Sequence, residues 1–130
     1  MELIDEKETY EFVIDTGEGE NNPVFIMGKL TTWEHDMIDD RSTLTTTSTG
    51  GDGIKAGEVR YLSGTIRSLK IEYAVKDWRN VVAKDGKPAK CNKENKKKLP
   101  VGIREKIVKH IDEINELNKG GDEEDKKVKN

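Results

Sequence analysis

The residues in this 130-residue sequence with the most obvious chemistry are His35, His110, Cys91 and the lysines Lys93, Lys96, Lys97 and Lys98. His35 is flanked by Glu34 and Asp36, but adjacent residues on a helix point in different directions and do not form a ligand set. It reads as a surface histidine beside an apolar face. His110 falls late in a helical stretch, where a charged imidazole would suit the helix dipole, so a structural role is expected. Cys91 has no histidine near it in sequence, and nothing local promises the lowered pKa of a reactive thiol; a buried or half-buried thiol is expected. A single cysteine also excludes an internal disulfide and a cysteine-built zinc site.

The acids Asp36, Asp39, Asp40 and Asp52 lack the spacing of a calcium loop. Gly50-Gly51-Asp52-Gly53 has no Lys-Ser/Thr after it and no strong strand before it, so it reads as linker rather than as a phosphate-binding loop. Paired-carboxylate hydrolysis would need an apolar pocket to raise one of the two pKa values, and no such pocket is expected. No catalytic residue, metal or cofactor is therefore expected, and the chain reads as a non-enzyme. The lysine run, with Lys84, Lys87 and Lys90 just before it, could meet phosphates. It is not interleaved with stacking aromatics and no nucleic-acid motif accompanies it. A docking surface for an acidic protein partner is preferred to nucleic acid.

Composition points the same way. Apolar residues make up 32% and charged residues 38%, against roughly 45–50% apolar in ordinary globular chains. A large enzyme core is not expected, and part of the length should be disordered. No segment approaches the roughly 20 apolar residues of a membrane helix, and the acidic start Met1-Glu2-Leu3-Ile4-Asp5-Glu6 does not resemble an export signal. Residues 1–56 carry 13 acids and 4 bases, whereas residues 57–119 carry 16 bases and 9 acids. Halves of opposite sign suit self-complementary docking into a homo-oligomer, or a partner with a patterned surface.

The elements that must position these groups follow from periodicity. Tyr10, Phe12 and Ile14 alternate as in a half-buried strand, a turn-rich stretch at 15–23 interrupts it, and Val24–Leu30 reads as a second strand. A hairpin is the simplest arrangement, and it needs helices to cover its apolar face. Thr31-Thr32-Trp33-Glu34 has capping-box spacing and opens a short helix that should fail near Arg41. Residues 42–56, rich in threonine, serine and glycine, read as a flexible linker. Val59, Leu62, Ile66, Leu69 and Tyr73 predict a helix over about 57–77, although Leu69, Ile71, Tyr73 and Val75 also alternate as in a strand. Asp85-Gly86 signals a tight hairpin, Asn92 a helix cap, and Leu99-Pro100 the start of a last helix striped by Ile103, Ile107, Ile111, Ile114 and Leu117. The expectation is an α+β fold: a small N-terminal β-hairpin packed on about three helices. It forms one domain over 1–119, with the 42–56 linker inside it and a disordered charged tail at 120–130.

The order of these pieces is informative. Phe25-Ile26-Met27-Gly28-Lys29-Leu30 leads into Thr31-Thr32-Trp33-Glu34, and later come Val75-Lys76-Asp77-Trp78-Arg79-Asn80-Val81 and Asp85-Gly86-Lys87-Pro88. Asn92-Lys93-Glu94-Asn95 and Leu99-Pro100 close the series. Over about residues 24–117 this order resembles the small tail assembly chaperones and related morphogenesis proteins of long-tailed bacteriophages. Asp77 stands where family members often carry glycine, and Ala83-Lys84-Asp85-Gly86 replaces their usual acidic Asp-x-Asp-Gly. The resemblance implies a non-catalytic task in the host cytoplasm, holding the tape-measure protein soluble and recruiting tail-tube subunits. A structural virion component of connector or tail-terminator type is the alternative, and a basic-patch nucleic-acid binder a third.

Incompletely covered helix stripes could receive a partner helix. The candidates are Trp33, Met37, Ile38, Trp78, Ile103, Ile107, Ile111 and Ile114. A chain this small needs most of its apolar groups inside, so each is weighed first as core.

Overall fold

Val24–Met27 (β2) is the strand around which the molecule is arranged in the computed structural model, which describes residues 1–46, 49–50, 53–54 and 58–118. Tyr10–Val13 (β1) pairs with it on one side, antiparallel, with Phe12 opposite Phe25. The two strands form the expected N-terminal hairpin. The turn-rich loop between them is organised by one side chain: Asn22 Oδ1 accepts from the Thr16 and Glu18 amides at 3.1 and 3.0 Å and from Thr16 Oγ1 at 3.2 Å.

The other edge of β2 is filled by a strand from far along the chain. The helix expected over 57–77 is a strand, a helix and a second strand. After Thr32–Ser42 (α1), Thr43–Thr46 (β3), Thr49–Gly50 (β4) and Gly53–Ile54 (β5) come Glu58–Tyr61 (β6), Ser63–Ala74 (α2) and Val75–Arg79 (β7). β7 lies antiparallel to β2, giving a three-stranded sheet of order β1-β2-β7. Phe25 pairs with Trp78 and Met27 with Val75, and the register shifts between Ile26 and Met27. That irregularity leaves Val75 and Trp78, three residues apart, both buried while Lys76 and Asp77 are exposed. A regular strand would turn alternate residues inward; one extra residue in the ladder resets the alternation. The resulting three-residue spacing imitates a helix in the sequence.

The segment expected as linker, 42–56, contains strands where it is described. β3 pairs antiparallel with β6, Thr43 opposite Tyr61 and Thr46 opposite Glu58, and β4 pairs with β5. Threonine is a good strand former because its branched side chain suits a pleated surface. The expected tail at 120–130 lies outside the described residues.

α1 starts with both halves of its capping box in place. Thr31 Oγ1 accepts from the Glu34 amide at 3.1 Å, and Glu34 Oε1 accepts from the Thr31 amide at 3.0 Å. It ends where Ser42 passes into β3, and the Ser42 carbonyl accepts from the Leu62 amide at 2.6 Å, tying its last turn to the entry of α2. The Asp85-Gly86 turn forms as expected, with Gly86 at φ +83° and the Ala89 amide donating to the Val81 carbonyl at 2.9 Å. Lys93–Lys96 (α3) is a single turn capped by Asn92, whose side chain accepts from the Asn95 amide at 2.8 Å. Val101–Asn118 (α4) follows, with the Pro100 carbonyl accepting its first bond from the Arg104 amide at 2.9 Å. The fold is α+β, a small antiparallel sheet with helices.

One cluster of buried side chains joins the sheet to the helices. It contains Ile14, Phe25, Met27, Val75 and Trp78 from the sheet region, Leu30 and Ile38 near and on α1, Leu69, Ile71 and Ala74 from α2, and Ile107 and Ile111 from α4. Burying such side chains is the main favourable term in folding, about 1.5–3 kcal/mol for each large one. Trp78 adds a donor bond from Nε1 to the Ala89 carbonyl at 2.7 Å, which fastens the 81–89 hairpin to the sheet.

Candidate functional site

The core and the surface divide the residues expected to bind a partner. Ile38, Trp78, Ile107 and Ile111 are buried in the cluster just described. They hold the fold together and do not present a surface to a partner, because α1 and α4 pack on α2 and turn these side chains into the shared cluster. Ile103 is partly buried against the same cluster. Met37 is half-buried, and so is Ile114, which lines a pocket beside the N-terminal arm with Leu3, Ile4 and Tyr10. Trp33 differs from all of these. It is 62% exposed, yet it sits in the capped first turn of α1 with its ring edge-on to Tyr73, centroids 6.4 Å apart and planes at 70°. Helical spacing places Met37 and Asp40 on the same side of α1, and Asp36 and Asp40 are both exposed. A capped turn and a ring contact thus hold an accessible aromatic next to acidic neighbours.

The basic run resolves into a pocket and a residue outside it. Lys93, Lys96 and Lys97 fall at three- and four-residue steps on and just after the single turn of α3, so they share a side. They line a pocket of about 100 Å³ together with Ser68, Ile71 and Glu72 of α2 and Arg104 of α4. Lys98 lies off that face and does not line it. Lys96 Nζ donates to the Glu72 backbone carbonyl at 3.3 Å, and Lys93 Nζ stands 3.7 Å from Glu72 Oε1. Arg104 Nε is buried without a hydrogen-bond partner. Sequence reading missed Arg104, because it stands on a different element from the lysines and has no motif around it.

His110 and Cys91 have structural surroundings. The His110 ring is stacked on Phe12, centroids 3.9 Å apart and planes at 3°, and lies 5.5 Å from Tyr10. Its Nε2 is buried without a partner. Burial pushes its pKa below the usual histidine value, with Glu113 pulling weakly the other way. The charged imidazole expected from the helix dipole is therefore disfavoured: desolvation beside Phe12 outweighs a dipole that acts only near the helix end. Cys91 is half-buried, and burial pushes its thiol up, with Asp77 raising it further and Lys96 opposing. Asp39 serves the end of α1, its carbonyl accepting from Thr43 Oγ1 at 2.7 Å.

No cluster of three or more metal-binding side chains occurs among the described residues, and none of their helices is long and apolar enough to cross a membrane. Compared with family models, curated proteins and solved structures, the chain has no significant match.

Proposed function

We propose that this chain is a non-catalytic tail assembly chaperone of a long-tailed bacteriophage, acting in the host cytoplasm on the tape-measure protein and tail-tube subunits. The observation that carries the reading is Trp33, a large aromatic that is exposed yet held in place by its capped turn and by Tyr73. Rigid, accessible tryptophans of this kind are the anchors that dominate protein–protein affinity. With Met37 beside it and Asp36 and Asp40 around it, the outer side of α1 suits an amphipathic helix whose apolar stripe meets Trp33 and whose basic residues meet the acids. The order of sequence pieces over 24–117 supports the choice of tape-measure protein as that helix.

Co-expression tests it. A tape-measure fragment that precipitates alone stays soluble and co-purifies with the wild-type chain, and Trp33→Ala loses both effects while remaining folded. A wild-type chain that fails to retain any tail component overturns the proposal. Detection of the chain in finished particles by mass spectrometry replaces it with the reading as a structural virion component.

A further inference from the structure

The pocket between α2, α3 and α4 has a chemistry of its own, independent of the α1 surface. Four cationic side chains, Lys93, Lys96, Lys97 and Arg104, surround it, with a single carboxylate, Glu72. Glu72 is partly engaged by Lys93 at 3.7 Å, and its backbone carbonyl takes a bond from Lys96. Lys97 makes no ion pair among the described residues. Arg104 has a buried Nε with no acceptor.

Like charges gathered on one concave surface repel each other, and an anion between them relieves the repulsion. The Ser68 hydroxyl, also lining the pocket, can donate as well. Arg104 lies in the first turn of the 18-residue helix α4, where the dipole favours negative charge. About 100 Å³ is room for a small polyatomic anion but not for a nucleoside or a peptide helix. Four positive charges against one negative suit a dianion better than a single carboxylate.

We infer that this pocket is a binding site for a phosphoryl dianion, taken either as free phosphate or as the terminal group of a small phosphomonoester. The guanidinium group of Arg104 and the ammonium groups of Lys96 and Lys97 supply the neutralising charge, and Ser68 a neutral donor. Lys93 keeps Glu72 turned to itself.

Amide NMR of the full chain, titrated with inorganic phosphate at constant ionic strength, tests the assignment. Saturable shifts are expected at Ile71, Glu72, Lys93, Lys96 and Arg104, and phosphoserine separates the two sources by which form saturates at lower concentration. Arg104→Gln, with an unchanged circular dichroism spectrum, should weaken the binding by about tenfold or more, the loss of one charge-assisted bond. Lys97→Gln gives a second reading should the arginine variant fail to fold, and it too should weaken binding. Shifts that grow linearly without saturating overturn the inference. So do equal shifts with acetate, or titrations that neither variant changes.

Discussion

His110 and Phe12 lie face to face, 3.9 Å apart and within 3° of parallel, joining the middle of α4 to the edge strand β1. The contact favours a neutral ring, since the imidazole is desolvated and its Nε2 has no partner. Around it stand Tyr10, Lys106, Lys109, Glu113 and Asp15, and of these Glu113 opposes the downward shift. The folded pKa is thus below the unfolded value of 6.5. Between those two values the unfolded chain binds more protons, so stability falls as pH drops from above 6.5 towards the folded pKa. The wild-type chain is expected to melt at a lower temperature at pH 5.5 than at pH 7.5, and His110→Phe, which keeps a ring on Phe12, to show a smaller difference. A histidine NMR titration with its His110 midpoint at or above 6.5 would contradict this.

Asn80 ends β7 in the left-handed region, φ 60°, and its side chain donates to the carbonyls of Asn22 and Glu20 at 3.0 and 3.3 Å. It therefore does two things, fixing a strained backbone and holding the 15–23 loop. Asn80→Gly should lose the side-chain bonds, about 1 kcal/mol, but relieve the left-handed cost of a Cβ. Asn80→Ala should lose the same bonds and keep that cost, so it should be the less stable of the two by roughly 1–2 kcal/mol. Urea denaturation of both variants checks the order; equal losses would show that the backbone is unstrained there.

The parts of the fold that were legible in advance are those written in residues three or four apart. Thr31 and Glu34 specify the start of α1, and the spacing of Ile103, Ile107 and Ile111 specifies which side of α4 goes inside. Asp85-Gly86 marks its turn through the positive φ that glycine tolerates. β7 escaped because its buried residues, Val75 and Trp78, are set three apart by a register shift that only pairing with Met27 and Phe25 can create. β3 and β6 escaped because their ladder joins Thr43–Thr46 to Glu58–Tyr61 across intervening chain, with little apolar alternation to announce it. The cationic pocket was half visible: three lysines share a turn of sequence, but Arg104 and Ser68 reach them only through tertiary packing.

Ile107 and Trp33 test the division between core and surface. Ile107 is fully buried at the centre of the cluster, and Ile107→Ala should cost about 2–5 kcal/mol through lost burial and the cavity it leaves. Trp33→Ala removes a larger side chain but should cost only about 1 kcal/mol or less, because the ring is mostly in solvent, with an edge contact to Tyr73. Chemical denaturation should rank the two in that order. A Trp33 loss as large as that of Ile107 would place the ring in the core and remove it as an anchor.

Cys91 offers a charge-specific readout of the same region. Burial raises its thiol, Asp77 raises it further and Lys96 lowers it. The thiolate is the reactive form, so a disulfide reagent at pH 8 should label the folded chain more slowly than the urea-unfolded chain. Shielding alone could slow the reaction, but it would not respond in opposite directions to two neighbouring charges. Asp77→Asn should speed labelling and Lys96→Gln should slow it, each by a few-fold, with the difference shrinking at high salt. If both substitutions leave the rate unchanged, neither charge acts on the sulfur, and the slow reaction of the folded chain is a matter of access.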